Sequence, residues 1–195
     1  MSVNISVRPR WLATIGVIMA AVASIALVAA GRADKALDDV HADVVRDYPG
    51  VSHLSATALA GDVGASDTVL FDVRRPDEFA VSHLANAIRV APGMSADDFF
   101  RAHGDRIAGK RVVFYCSVGV RSSKLAERVQ AALVDRAAQR PAVVHNLAKG
   151  IFGWRNSNRP LATPAAQPTD KVHPYNAYWG RLITDRSAIQ YSPKL

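Results

Sequence analysis

A single cysteine, Cys116, stands directly after an apolar run at residues 112–115 and before a short loop. The apolar run is typical of a buried strand, and helical spacing begins near Ser122. Such a loop can turn its amide groups toward the sulfur while the positive end of the following helix lies behind them. Both features favour the thiolate, which is the nucleophilic form of cysteine. The sequence therefore predicts nucleophilic chemistry at Cys116.

The residues after the cysteine supply the other groups that this chemistry needs. Gly119 permits a backbone conformation that a side chain would obstruct, and the Arg121 guanidinium suits a tetrahedral oxyanion substrate. Ser122 or Ser123 is a suitable N-cap for the helix. The alternative is an inert buried thiol at a strand end, which the placement of Gly119 and Arg121 disfavours. The amides expected to point inward are those of Ser117, Val118, Gly119, Val120 and Arg121.

Short apolar runs that alternate with helical segments must position this loop. The alternation is typical of βαβ units and indicates an α/β fold with a central, largely parallel sheet flanked by helices. In such folds catalytic groups gather at the carboxyl ends of the strands. The predicted strands are 69–71, 87–90, 112–115 and 143–144, and the predicted helices are 97–107 and 122–134.

Composition divides the chain into four parts. A basic start with an apolar stretch comes first. A charged spacer or short amphipathic helix follows, in which apolar residues recur at helical intervals. A globular domain comes next, and a linker with an aromatic tail ends the chain. These parts cover residues 1–31, 32–48, 49–161 and 162–195.

Within the last part, the composition of residues 162–170 predicts a linker. Residues 173–180 carry three aromatic rings of Tyr and Trp, and such rings are costly to leave in water as a cluster. We therefore expect residues 173–180 to dock on the domain or on a partner, and residues 192–195 to remain loose.

Residues 11–30 form an apolar stretch that, at ~1.5 Å per residue, is long enough to cross a bilayer core. The stretch predicts an uncleaved membrane anchor. The alternatives are a secretory signal peptide cut after Ala30 and a wholly buried helix. Basic residues on its two sides nearly balance, but the short start with Arg8 and Arg10 is typical of a cytoplasmic segment. We therefore expect the domain outside the cytoplasm, on the bacterial periplasmic side, or secreted to the periplasm after cleavage.

The composition excludes several other classes of protein. Of the 195 residues 49% are hydrophobic and 21% are charged, which supplies a core and argues against a disordered chain. One cysteine excludes an intrachain disulfide framework or a zinc ribbon. No histidine has ligand spacing with Cys116 or with another histidine, so we predict no metal and no cofactor. The net charge of +7 favours anionic small molecules, and without a recognition motif we predict no nucleic-acid binding.

Three ordered motifs resemble those of the rhodanese family of sulfurtransferases. Asp72-Val73-Arg74, the segment 76–79 and the segment 83–87 look like the family's Asp-Val-Arg, Pro-x-Glu-Phe/Tyr and Gly-His-Ile-Pro-Gly-Ala elements. Residues 116–122 resemble its Cys-x-x-Gly-x-Arg-Ser loop, and residues 146–154 resemble its closing Asn-Leu-x-Gly-Gly-x-x-x-Trp. The resemblance covers about residues 51–161, and the departures lie outside the loop, at Ser82, Ala85, Asn86 and Lys149.

The resemblance implies a single-domain rhodanese, in which the Cys116 thiolate attacks the sulfane sulfur of a donor such as thiosulfate. Sulfite then leaves, and a thiol or cyanide takes the sulfur from the Cys116 persulfide. The loop amides would stabilise both sulfur anions, and Arg121 and Arg74 would hold the small anionic donor. Asp72 and Ser122 are expected in structural support, Asp72 by pairing with Arg74 or by bonding amides near the loop. The chain has no second cysteine, so the acceptor comes from outside.

Two other functions remain open from the sequence. One is a non-catalytic rhodanese-like binding module at a membrane, although inactive members of the family typically lack the cysteine. The other is a cysteine phosphatase or arsenate reductase. Those enzymes place five residues between cysteine and arginine, whereas four separate Cys116 from Arg121. No feature of the sequence indicates a particular protein partner.

Overall fold

The computed structural model describes the backbone of residues 10–135 and 142–193, and their side chains except those of residues 10–23, 25 and 26. The helices are α1 (Arg10–Asp47), α2 (Ala56–Leu59), α3 (Pro76–Val81), α4 (Ala96–Ile107), α5 (Val120–Asp135), α6 (Gly150–Asn156) and α7 (Ala177–Gly180). The strands are β1 (Ser52–Leu54), β2 (Thr68–Asp72), β3 (Ile88–Arg89), β4 (Arg111–Tyr115), β5 (Val143–Leu147), β6 (Leu161–Ala162) and β7 (Pro168–Thr169). A short 3-10 helix lies at Arg186–Ala188.

Strands β1 to β5 form one parallel sheet in the order β1-β5-β4-β2-β3. This arrangement confirms the α/β fold with a central parallel sheet. The four predicted strands correspond to β2, β3, β4 and β5, whereas β1 was not predicted because its three residues contain no apolar run. β4 lies at the centre of the sheet, between β2 and β5, so the residue that follows it is held from both sides.

Side chains of the central strand alternate between two halves of the core. Val112 and Phe114 pack in the cluster that contains residues of α4 and α5, whereas Val113 and Tyr115 pack in the cluster that contains α6. Both faces of the sheet are therefore covered. This burial on both sides explains why β4 is an apolar run rather than an alternating pattern.

α1 continues without a break to Asp47, the last residue but one of the segment predicted as a juxtamembrane spacer, residues 32–48. Ala33, Leu37 and Val44 are buried, and Lys149 forms an ion pair with Asp38 of the helix. Residues 32–47 are therefore part of an amphipathic helix that packs on the domain, and their place next to a membrane stays a prediction. The helix packs in this way because its apolar residues recur on one helical face.

The apolar stretch at residues 11–30 belongs to the backbone of α1, and most of its side chains lie outside the described residues. Among the residues that the structure does describe, no helix is long and apolar enough to cross a membrane. A membrane anchor at residues 11–30 thus has no support from the structure and rests on the sequence alone.

The C-terminal part of the chain is folded onto the domain. Val172, Leu182 and Ile183 are buried in the same cluster as residues of α6. Residues 162–170, predicted as a linker, instead include the last residue of β6 and all of β7, and these two strands pair as an antiparallel hairpin. Ala162 also exchanges two backbone hydrogen bonds with His83, of 2.8 and 2.9 Å. The prediction failed because two-residue strands are too short to produce a hydrophobic pattern.

Candidate active site

Cys116 directly follows β4, so it lies at the carboxyl end of the central strand. Only 1% of its surface is exposed. The loop turns at Gly119, whose φ of +103° is unfavourable for a residue with a side chain. The Gly119 N–H donates a hydrogen bond to Cys116 Sγ at 3.2 Å. One of the expected loop amides therefore points at the sulfur, the geometry that stabilises a sulfur anion.

The helix after the loop begins at Val120, two residues before the expected N-cap. Ser122 and Ser123 therefore lie in the first turn, and the N-cap prediction was wrong because Gly119 ends the loop sooner. Ser122 Oγ donates to the Gly119 carbonyl oxygen at 3.1 Å, and the Ser123 N–H donates to the same oxygen at 3.0 Å. Ser122 consequently fastens the turn from within α5, whose positive end lies next to the cysteine loop.

The start of α6 holds the other side of the loop. The Ile151 N–H donates to the Cys116 carbonyl oxygen at 2.9 Å, and the Phe152 N–H donates to that of Ser117 at 3.1 Å. Because the C=O and N–H of a trans peptide point in opposite directions, the next amides in the loop are directed away from α6. A Cβ on Gly150 would lie 2.4 Å from the Cys116 carbonyl oxygen, so only glycine permits this approach.

Arg121 forms a bidentate ion pair with Glu78 of α3, with N···O distances of 2.8 and 2.9 Å. Ser117 Oγ completes the group, since it donates to Glu78 at 2.8 Å and accepts from Arg121 at 2.9 Å. The Glu78 side chain is fully buried. Glu78 was not among the site residues predicted from the sequence, although its position in the segment 76–79 was a usable signal. Arg121, predicted to bind the donor, is held by an internal carboxylate.

The charges of this pair stabilise each other. Burial alone would raise the pKa of Glu78, but the hydrogen bonds and the charge of Arg121 lower it to about 2. Burial alone would lower the pKa of Arg121, but its hydrogen bonds to Glu78 and the charge of that carboxylate raise it. The carboxylate and the guanidinium are therefore both ionised across the physiological pH range.

Arg74 was expected to hold the donor, but it does not contact the site. Its guanidinium is fully buried, and it donates to Asp72 Oδ2 at 2.7 Å and to the Ser82 carbonyl oxygen at 2.5 Å. The expectation that Arg74 holds a substrate was therefore wrong, because Asp72 pairs with it inside the core. Asp72 also accepts from the Arg74 backbone N–H at 3.0 Å, so it has the structural position that we expected for it.

A small pocket of about 170 Å³ lies over the cysteine loop. Tyr175 and Trp179, from the C-terminal part, form one wall of it. These rings were expected to dock on the domain or on a partner, but no signal in the sequence indicated that they border the cysteine. Lining the pocket are Cys116, Ser117, Val118, Val120, Arg121, Tyr175 and Trp179.

The described residues contain no group of three or more His, Cys, Asp or Glu side chains that could hold a metal ion.

The family model of the rhodanese-like domain matches residues 55–157, just over half of the chain. The chain belongs to the rhodanese-like domain family. The match lies within residues 51–161, for which the motifs predicted it. The two helices that contact the Cys116 loop, α3 and α6, lie inside the rhodanese-like match. Tyr175 and Trp179 lie beyond it.

Curated relatives match only part of this rhodanese-like chain. A tRNA uridine(34) hydroxylase of Staphylococcus haemolyticus is 37% identical over 60 residues, which are 30% of this chain and 19% of that protein. One of Bacillus pumilus is 31% identical over 74 residues, or 37% of this chain and 23% of that protein. The chain thus spans about a fifth of the length of these curated relatives.

Among solved structures, the chain is similar to a thiosulfate sulfurtransferase from Pseudomonas aeruginosa. That similarity has 20% identity and a TM-score of 0.49, and it covers 76% of this chain and 26% of the other. A Rhodopseudomonas palustris protein described as a possible tyrosine phosphatase has 24% identity and a TM-score of 0.47, with 65% and 92% of the two chains covered.

Proposed function

We propose that this rhodanese-like domain is a sulfurtransferase, which moves a sulfane sulfur through a persulfide on Cys116. The observation that carries the proposal is the hydrogen bond from the Gly119 N–H to Cys116 Sγ at the start of α5. An amide donor and the positive end of a helix both stabilise a sulfur anion. Each half of the proposed reaction begins or ends with an anion at that place.

In the first half, the Cys116 thiolate attacks the terminal sulfur of thiosulfate. A bond forms between Cys116 Sγ and that sulfur, the S–S bond of thiosulfate breaks, and sulfite leaves with the electron pair. In the second half, cyanide or a thiolate attacks the outer sulfur of the persulfide, and the Cys116 thiolate is the leaving group. Cys116 is the only cysteine of the chain, so the acceptor is a separate molecule.

Arg121 has two roles in this proposal. Three hydrogen bonds, two to Glu78 and one to Ser117, fix the guanidinium beside the loop. A guanidinium has five N–H groups, so others remain to donate to the oxygen atoms of a donor in the pocket that Arg121 lines. The arginine thus supports the loop and offers a contact to the sulfite part of thiosulfate.

Intact-mass measurement after incubation with thiosulfate tests the proposal. The wild-type protein is expected to gain the mass of one sulfur atom, and cyanide is expected to remove it and yield thiocyanate. Cys116→Ser is the matched control, and it should gain nothing because its hydroxyl does not form a persulfide. A folded wild-type protein that never gains sulfur would contradict the proposal and favour the non-catalytic binding module.

We also propose, from the sequence, that the domain lies on the periplasmic side of a bacterial membrane. The proposal rests on the apolar residues 11–30 and the short basic start before them. Reporter proteins fused after Leu195 test it without disturbing the folded C-terminal part. An active alkaline phosphatase and a dark fluorescent reporter are expected, and the opposite pattern would locate the domain in the cytoplasm.

A further inference from the structure

The residues 173–180, here called the aromatic segment, are fixed on the domain by the chain on both sides of them. Before the segment, Val172 exchanges backbone hydrogen bonds with Ala188 and Gln190, of 2.8 and 3.1 Å. After it, Leu182 and Ile183 are buried in the core. The last residue of the segment is bound by the Arg186 side chain, which donates to the Gly180 carbonyl oxygen at 2.7 Å. Its rings therefore have defined positions at the site.

Tyr175 is held in a conformation that a bulky residue rarely adopts. Its φ is +66°, in the left-handed region, and the Asn176 N–H donates across it to the Pro174 carbonyl oxygen at 2.8 Å. The centre of the ring then lies 4.8 Å from the guanidinium carbon of Arg75 and 5.0 Å from that of Arg121. Strain of this kind persists where the surrounding structure enforces it, and it often marks a functional position.

Trp179 is placed beside Tyr175 by a tight turn into α7. The Asn176 side chain accepts from the Trp179 N–H at 3.0 Å and so caps this short helix. A Cβ on Gly180 would lie 2.8 Å from Pro174 Cβ, so the glycine allows the helix to fold back on the turn. The two rings thereby become one wall of the pocket over Cys116.

The size and the chemistry of this pocket restrict what reaches the sulfur. Its volume of about 170 Å³ is below the roughly 300–1,000 Å³ of sites for drug-sized ligands. The charge of Arg121 is balanced by Glu78, and much of the remaining lining is apolar, from Val118, Val120 and the two rings. Cys116 is almost fully covered, so a cysteine on a folded protein cannot approach it without displacing the wall.

We infer that Tyr175 and Trp179 determine the specificity for the sulfur acceptor, admitting small thiols with an apolar or aromatic body and excluding cysteines of folded proteins. The inference rests on the proposed sulfur transfer and names the substrate class of its second half. The acceptor thiol loses its proton to solvent, and its sulfur attacks the outer sulfur of the persulfide. A new S–S bond forms, the bond to Cys116 Sγ breaks, and its electron pair stays on Cys116.

Discharge of the preloaded persulfide tests this specificity. The protein is loaded with thiosulfate and freed of excess, and the loss of one sulfur is followed by intact mass with phenylmethanethiol or with reduced thioredoxin. Wild-type persulfide should react with the small thiol and hardly with thioredoxin. In Tyr175→Ala and in Trp179→Ala the preference for phenylmethanethiol over thioredoxin should fall about 10-fold, because part of the aromatic wall of the pocket is lost.

Tyr191→Ala is the matched control, because Tyr191 also belongs to the C-terminal part but is 54% exposed and does not line the pocket. It should keep the wild-type preference. An unchanged preference in both Tyr175→Ala and Trp179→Ala would overturn the inference, as would equal reaction of the wild-type persulfide with both acceptors. A wild-type protein that forms no persulfide would overturn the proposed function instead, and the acceptor specificity with it.

A measurement on the wild-type protein alone guards against variants that fail to fold. Cys116 should be alkylated by iodoacetamide and much more slowly by a maleimide attached to a large polymer, because the polymer cannot enter a pocket of about 170 Å³. Each rate is divided by the rate of the same reagent with a free thiol in solution. Similar ratios for the small and the large reagent would contradict a closed pocket.

Discussion

Two regions border the Cys116 loop, and they contact it in different ways. The start of α6 binds the loop through backbone groups, with the Ile151 and Phe152 amides on its carbonyl oxygens. The aromatic segment approaches the same loop with the side chains of Tyr175 and Trp179. Backbone bonds fix where the sulfur lies, whereas side chains determine what reaches it. Changes in α6 should therefore alter reactivity, and changes in the aromatic segment should alter selectivity.

The largest effect is expected from removing the C-terminal region altogether. A chain that ends at Leu161 loses Val172, Leu182 and Ile183 from the core, and each buried apolar side chain contributes about 2 kcal/mol. A total of about 5 kcal/mol or more approaches the whole stability of an ordinary domain. We expect a chain that does not fold, as measured by circular dichroism and solubility. Full stability would show that the C-terminal region only covers the site.

Gly150→Ala is expected to disrupt the contact between α6 and the Cys116 loop. The added Cβ would lie 2.4 Å from the Cys116 carbonyl oxygen, at a φ of +56°. Strain and overpacking together should cost about 4 kcal/mol and should abolish persulfide formation. Gly104→Ala is the matched control, since a Cβ there meets nothing within 4 Å and helix propensity predicts a gain of about 1 kcal/mol. Urea unfolding measures both, and equal stabilities would refute the backbone-contact account.

Glu78→Gln is expected to loosen the loop without changing its backbone. The substitution removes the buried charge that Arg121 faces, and breaking such a pair costs about 3 kcal/mol. Asp77→Asn is the matched control, because the exposed Asp77 pairs with the half-exposed Arg75, and the substitution should change stability by less than about 1 kcal/mol. If the two variants unfold alike, the Glu78–Arg121 pair does not hold the loop.

The same pair predicts a dependence of stability on pH. The folded state lowers the pKa of Glu78 from its ordinary value of 4.5 to about 2. The contribution of Glu78 to stability is therefore complete above pH 4.5 and is lost as the pH falls toward 2. At pH 3 the protein should have lost about 2 kcal/mol of this stability relative to pH 7. Urea unfolding of wild type and Glu78→Gln at pH 7 and pH 3 measures this. The stability difference between the two proteins should shrink at pH 3, and a constant difference would contradict the assignment.

The features that the sequence predicted correctly are local or carried by a motif. The runs at 69–71 and 112–115 are strands because they are buried on both faces of the sheet, and the cysteine loop follows from its ordered spacing. The pairing of Asp72 with Arg74 was expected from the sequence, but the full burial of the Arg74 guanidinium was not, because it depends on the long-range packing of the core around the pair. The position of Tyr175 depends on a left-handed turn and on long-range packing, neither of which leaves a periodic signal.

Thiocyanate production from thiosulfate and cyanide tests the central claim most directly, because it requires Cys116 to accept sulfur and release it in repeated cycles. Wild-type protein should produce thiocyanate continuously. Folded Cys116→Ser should produce none, since Cys116 is the only thiol of the chain. Undiminished production by folded Cys116→Ser would contradict the assignment of this cysteine as the sulfur carrier.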